Sequence, residues 1–463
     1  MSAIQASDRG PIGVVGLWHL GSVTAACMAE AGNDVLGVDP DASVVEGLAQ
    51  GRPPVSEPGL AELLLGSAER LRFSSDPRAL EGMRRAWITF DTPVDDDDNA
   101  DVEWVLARSE EQLSSLADGA LVVVSSQLPV GSVARLQERC VARRGQDDLR
   151  FACVPENLRL GSALDAFRTP DRIVAGVRDD EDRRELAELL KPLSAEVQWM
   201  RVESAEMTKH ALNGFLATSV AFINEVAAIC ELVGADAAEV SRGLKSERRI
   251  GPRAYLSPGD AFAGGTLARD IGFLRDLAQR HGLPGDVFAG VAGGNLAHKS
   301  WAQRKLVELL GGERGDEGAL SGATIGIWGL TYKPGTDTLR RSSAVELCRW
   351  LVGEGATVRA YDPAVTHLPA ALEAEILLCK TSLAAAQDAS ALVVCTAWPE
   401  YREVSAGQLL SVLQTPLVID AAGFLAGSLG VEPGLRYARV GSSPASPHER
   451  SSDTPQQSEA RAS

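Results

Sequence analysis

Residues 12–39 read IGVVGLWHLGSVTAACMAEAGNDVLGVD, and three of them have the types and spacing of a dinucleotide site. Gly16 follows the apolar run Ile12–Val15 and is placed for a tight turn, while Gly21 opens a small-residue helix and permits close packing of helix on strand. The first turn of that helix presents free N–H groups to a pyrophosphate. Asp39 closes the next apolar run about 20 residues further on, where a carboxylate accepts hydrogen bonds from ribose hydroxyls and favours NAD over NADP. One position departs from G-x-G-x-x-G: its middle glycine is Trp18, where backbone should approach the phosphates unobstructed. From these residues two readings stay open. The unit binds NAD, or it keeps the shape of such a unit while the indole fills a vacated cofactor site.

Such a site needs a sheet and helices to hold it, and the chain supplies the pattern for both. Over 12–202 strands alternate with helices, with strands expected at 86–90, 121–125, 151–154 and 173–177 in a parallel sheet. From Ser204 to Gly234 runs a long helical segment that is apolar on more than one face. It must be buried on several sides, as a central helix shared between two subunits would be. It opens a helical block over 203–310 that is expected to carry dimerisation. Over 318–440 the alternation restarts, with ATIGIWGL, ATVRAYDP, ALVVCTAW and LVIDA as strands and AVELCRWLVGEG as a helix. The expected fold is α/β: an N-terminal Rossmann-type parallel sheet, a central helical region with a long helix, and a smaller C-terminal Rossmann-like α/β domain. A cleft between the carboxyl ends of the two sheets is the expected ligand position. Residues 1–11 and 441–463 are polar and expected to be disordered tails, and Asp95–Asp98 a solvated loop.

Composition narrows the partners. A chain of 463 residues is long enough for two or three domains. Its net charge of −18 opposes nucleic acid and anionic membrane surfaces. There is no charged-then-apolar leader and no uninterrupted run of about 18 apolar residues, so neither secretion nor a membrane span is expected. Seven scattered cysteines, without C-x-x-C or metal-ligand spacing, are expected to be reduced thiols in a cytoplasm, with no metal.

Four segments, taken in order, resemble the UDP-glucose/GDP-mannose dehydrogenase family. They are VPENLRLGSALDAFRTPDRIVAG (154–176), EMTKHALNGFLATSVAFINE (206–225), RRIGPRAYLSPGDAFAGGTLARD (248–270) and GLTYKPGTDTLRRSS (329–343). The resemblance implies oxidation of the C6 hydroxyl of a nucleotide sugar, a UDP-hexose, to a carboxylate with two NAD⁺ in one active site. It assigns Glu156 as general acid/base, Lys209 and Asn213 as donors to the developing oxyanion, and Asp270 as the group that orders the catalytic water and the lysine. The i, i+4 spacing of Lys209 and Asn213 puts both on one helical face, where they converge on one oxygen. It also implies that Arg249 crosses a homodimer interface to the substrate, that Gly264 and Lys333 lie on the substrate side, and that Thr92 and Arg340 lie on the cofactor side.

The departures from the family pattern cluster where chemistry is expected. The family's nucleophilic cysteine, four residues before the aspartate, is Thr266, and a threonine hydroxyl is no resting nucleophile without a dedicated base. Gln127 stands where the family has a threonine near the catalytic water, Leu160 replaces a glutamate, and Ala421-Ala422 replaces a Gly-Arg pair. Cys153, three residues before Glu156, is either a substitute thiol or a buried strand-end cysteine. Three functions stay open. The chain is a nucleotide-sugar dehydrogenase with an altered or incomplete second oxidation, an enzyme of epimerisation or aldehyde formation, or a catalytically silent nucleotide-sugar-binding homologue.

Overall fold

The computed structural model describes residues 10–95, 100–193, 195–263, 265–311, 318 and 320–442. Most of both expected tails, three of the four aspartates of 95–98, and Gly264 lie outside the described residues. The chain divides into two compact units, residues 1–213 and 214–463.

The first unit is built on an eight-stranded sheet in the order β3-β2-β1-β4-β5-β6-β7-β8. Its strands are β1 (Ile12–Val15), β2 (Val35–Val38), β3 (Leu71–Ser74), β4 (Arg85–Ile88), β5 (Leu121–Val124), β6 (Arg150–Cys153), β7 (Ile173–Gly176) and β8 (Val197–Met200). β1, β4, β5 and β6 lie in the middle and are apolar but for Arg85 and Arg150, which open β4 and β6 and pair with Glu185, because helices cover both faces of a parallel sheet. The expectation of a wholly parallel sheet needs one correction: β6 and β7 pair antiparallel, at Cys153 and Gly176. The chain between them makes a loop and the six-residue helix Ala163–Arg168 instead of a crossover helix returning along the sheet. Gly176 is required there, since a Cβ on it would lie 2.7 Å from the Cβ of Ala205.

The second unit carries a six-stranded, wholly parallel sheet in the order β11-β10-β9-β12-β13-β14. The strands are β9 (Thr324–Trp328), β10 (Thr357–Tyr361), β11 (Ile376–Leu378), β12 (Ala391–Val394), β13 (Leu417–Asp420) and β14 (Arg436–Ala438). In both sheets the order reverses beside the first strand, β1 or β9, which leaves a crevice at the carboxyl ends. The expected tail at 441–463 begins too early. Gly441, at φ +78°, packs against Ala227 and Ala237, and its N–H donates to Glu231 Oε1 at 2.9 Å.

The long helix runs Val202–Val233 and stops at Gly234, whose φ of +76° suits glycine. Among the described residues it is the one helix long and apolar enough to cross a membrane by length and composition, which a search for uninterrupted apolar runs passes over. Its polar residues are instead tied to protein. Glu206 accepts from the backbone N–H of Gly131 and Val133, Asn224 accepts from Gly259 N, and Glu231 accepts from the Trp301 indole. Within one chain the helix is buried on part of its circumference, and Phe215, Phe222, Ile229, Leu232 and Val233 are exposed.

Candidate active site

The turn after β1 is shaped by two glycines. Gly16 has φ +89°, and a Cβ there would lie 2.5 Å from the Phe90 ring. A Cβ on Gly21 would lie 1.7 Å from the carbonyl oxygen of Gly16, so the helix His19–Glu30 starts hard against the strand. Leu17 N–H donates to Asp39 Oδ2 at 2.7 Å, which holds the acid at the carboxyl end of β2 and facing the turn. Trp18 proves compatible with this backbone. Its φ is −72°, so no left-handed conformation is demanded of it, and its side chain is 49% exposed rather than filling the domain. Gly16, Gly21 and Asp39 therefore form a cradle that fits a dinucleotide. Thr92 is buried, and its hydroxyl donates to the Gln127 carbonyl at 2.7 Å, tying two loops at the carboxyl ends of β4 and β5.

Glu156 and Lys209 come together. Glu156 follows β6 in the loop, and its Oε2 accepts from Leu158 N–H at 2.7 Å. Lys209 Nζ donates to the Glu156 carbonyl at 2.6 Å and stands 3.4 Å from Glu156 Oε1, with only 10% of its side chain exposed. Asn213 is buried one helical turn further on, on the same face. Behind the pair lies a cavity of about 20 Å³ lined by Ser126, Cys153, Glu206 and His210 among others. Burial pushes the Cys153 thiol well above its usual range, and the charges of Glu206 and Glu203 push the same way. Cys153 is thus buried at the end of its strand, in surroundings that disfavour the thiolate a nucleophile needs. Burial likewise raises Glu206, against the two N–H groups it accepts from.

In the second unit Thr266 is the exposed first residue of helix Thr266–Arg280, after Gly265 at φ +102°. Asp270 lies one turn on along the same face and is fully buried, with the Arg269 guanidinium 4.0 Å away. Sequence reasoning passed over Arg341. It holds a left-handed φ of +59°, costly for arginine, and its Nη1 comes within 3.6 Å of where a Cβ on Gly265 would sit. Its neighbour Arg340 and Lys333 share the Gly329–Ser342 loop, where the Lys333 carbonyl accepts from the Thr336 hydroxyl and Arg340 N–H donates to the Thr338 hydroxyl. Arg249 is the most open of the expected residues, with 88% of its side chain exposed and Glu247 Oε1 at 3.0 Å.

A cavity of about 280 Å³ opens at the carboxyl ends of β12 and β13, with Lys299, Trp301, Ser343 and Glu346 on its walls. The loop after β9 repeats the logic of the first unit: Gly329 at φ +92° lies against Thr396, as Gly16 lies against Phe90. Asp362 after β10 is the counterpart of Asp39, but its Oδ2 is taken by Leu330 N–H, Thr331 N–H, the Thr331 hydroxyl and the Trp398 indole. With Asp362 Oδ1 accepting from Ala364 N–H, both oxygens are engaged by protein donors. Asp39 likewise has both oxygens engaged, Oδ2 by Leu17 N–H and Oδ1 by Asp41 N–H at 2.9 Å, but Asp362 Oδ2 is the more heavily occupied of the two.

Comparison with known proteins matches all three parts of one family. Residues 11–194 match the NAD binding domain of the UDP-glucose/GDP-mannose dehydrogenase family, 203–295 its central domain and 326–427 its UDP binding domain. The chain is 33% identical over 444 residues to the UDP-glucose 6-dehydrogenase of Pseudomonas aeruginosa, covering 92% of this chain and 96% of that protein. It is also 33% identical over 442 residues to UDP-glucose 6-dehydrogenase TuaD of Bacillus subtilis, covering 92% and 94%. Among solved structures, a UDP-glucose dehydrogenase from Pyrobaculum islandicum superposes with a TM-score of 0.79 at 31% identity, covering 88% of this chain and 94% of that one.

Proposed function

The chain belongs to the UDP-glucose/GDP-mannose dehydrogenase family, and from that premise we propose that it oxidises the C6 hydroxyl of a UDP-hexose to the aldehyde, with only slow onward oxidation to the acid. The observation that carries this reading is the half-buried Lys209–Glu156 pair, in which Nζ is held at 2.6 Å from a carbonyl and 3.4 Å from a carboxylate. A pair so held keeps an ammonium in place beside a base. Glu156 takes the hydroxyl proton, Lys209 and Asn213 donate to the oxygen as negative charge develops, and preorganised donors of this kind are the largest single source of rate in such steps. NAD⁺, held at Gly16, Gly21 and Asp39, supplies the hydride acceptor. Asp270 orders a water, and Arg249, Gly264 and Lys333 hold the nucleotide sugar, with Thr92 and Arg340 on the cofactor side.

The second oxidation ordinarily passes through a thiol adduct of the aldehyde, and Thr266 cannot supply one. The remaining route is the aldehyde hydrate: water adds to C6, and a second hydride with a proton leaves the gem-diol to give the carboxylic acid. Incubation with NAD⁺ and a panel of nucleotide sugars, resolved by mass spectrometry, tests the reading. One NADH per sugar and an aldehyde or its hydrate are expected; stoichiometric uronate with two NADH per sugar overturns the thiol-loss argument. A second reading, a silent nucleotide-sugar binder, is favoured by a carboxylate standing on the cofactor helix (Leu20 N–H to Asp91, 3.2 Å). Absence of NADH, aldehyde and epimer with every sugar selects it.

The exposed residues Phe215, Phe222 and Ile229 recur every seven positions on one face of the long helix. This stripe supports a homodimer built on that face, across which Arg249 reaches its neighbour's substrate. Sedimentation at twice the 48.9 kDa chain mass is expected, and a monomer at every concentration removes this part. Seven free thiols, five of them buried, support a reducing cytoplasm.

A further inference from the structure

The first turn of helix His19–Glu30 has N–H groups that no helical carbonyl can take. One of them is taken by this chain itself: Leu20 N–H donates to Asp91 Oδ2 at 3.2 Å. Asp91 comes from the loop after β4, so its carboxylate reaches across the reversal point between β1 and β4. A pyrophosphate approaches such a helix from the same place, drawn by the partial positive charge of the helix N-terminus. Here that charge is already matched by a carboxylate. An arriving pyrophosphate must displace it and then lie beside a like charge.

We propose that Asp91 is an internal stand-in for the pyrophosphate and sets the cofactor affinity of this chain: NAD⁺ binds only as the Asp91 side chain turns off Leu20 N–H. The proposal rests on the placement of NAD at the Gly16–Gly21 turn. The turn itself does not depend on Asp91. Asp39 Oδ2 holds Leu17 N–H at 2.7 Å, the Thr89 hydroxyl donates to the Gly16 carbonyl at 2.8 Å, and Ser22 Oγ donates to the Leu17 and Trp18 carbonyls. Asp91 is also exposed, so its side chain has room to swing outward. None of these contacts to the turn involves Asp91, so they persist when Asp91 leaves Leu20 N–H.

Calorimetric titration of NAD⁺ into the full chain, the Asp91→Ser, Asp91→Asn and Asp39→Ala variants, each first shown to melt cooperatively, tests this. Asp91→Ser is expected to bind NAD⁺ about tenfold more tightly than the wild type, with Asp91→Asn between them and the gap narrowing in added salt as charge is screened. Asp39→Ala is expected to weaken binding. Equal or weaker binding by Asp91→Ser, with Asp39→Ala still weakening it, overturns the role of Asp91 alone. An Asp39→Ala change without effect overturns the placement of the cofactor, and no NAD⁺ binding by any form overturns both.

Discussion

Lys209→Met lowers kcat for NADH formation by about 10²- to 10³-fold, the range seen when one preorganised donor to a developing oxyanion is removed. Methionine keeps the length and apolar stem of lysine, so packing in the helix survives while the charge goes. What is lost is specific: Nζ no longer bridges the Glu156 carbonyl and carboxylate, and Glu156 keeps only Leu158 N–H on its other oxygen. Because the interaction strengthens as charge builds on the substrate oxygen, kcat falls far more than KM rises. Initial rates over a range of UDP-sugar concentrations measure the split, and an unchanged melting temperature separates the effect from misfolding. A kcat within tenfold of the wild type removes Lys209 from the reaction. A KM defect alone reassigns it to binding.

Most strands legible in the sequence have apolar residues on both faces, since a parallel sheet covered by helices writes a nearly unbroken apolar run, while β10 is legible from the alternation of TVRAY. The edge strands β3, β8, β11 and β14 are not, because one side of each faces solvent or a loop and the run breaks into a half-buried pattern. Strand direction at β6–β7 was equally silent: hydrophobic runs carry burial, not polarity. The same division holds at the site. Gly16, Gly21, Asp39 and the Lys209–Asn213 face are local patterns, readable over a few turns of chain. Asp91 on Leu20 is a contact across 71 positions and Glu206 on Gly131 one across 75, so no spacing rule announces them. At Trp18 the sequence shows an indole where the phosphates approach, and the structure adds what spacing does not carry: φ there is −72° and the residue is half exposed. Arg341 carries no sequence signal of its own beside Arg340. Its left-handed backbone is visible only in the fold.

On the proposed reading, Thr266 is the position at which a thiol would restore the second oxidation. Thr266 is the first residue of a fifteen-residue helix, exposed, with the Arg341 guanidinium reaching the preceding residue. A thiol placed at a helix N-terminus beside a guanidinium has its pKa lowered from about 8.5 toward neutrality, so that thiolate is present at working pH. Thr266→Cys therefore installs a nucleophile in an environment already suited to one. The thiolate adds to C6 of the aldehyde, the resulting thiohemiacetal gives up a hydride to NAD⁺ and its hydroxyl proton to a base to become a thioester, and water releases the acid and regenerates the thiol. The ratio of uronate to aldehyde is expected to rise about tenfold or more over the wild type, with NADH per sugar moving from one toward two. Thr266→Ser, which keeps a hydroxyl of high pKa, is expected to leave the ratio unchanged, and thiol titration of the cysteine variant confirms that the new group is ionised and accessible. If the thiol titrates at neutral pH and the product ratio stays that of the wild type, the block to acid formation lies elsewhere than at Thr266. The cofactor helix with Asp91 then becomes the place to look, because a second oxidation demands a second NAD⁺ at the same turn.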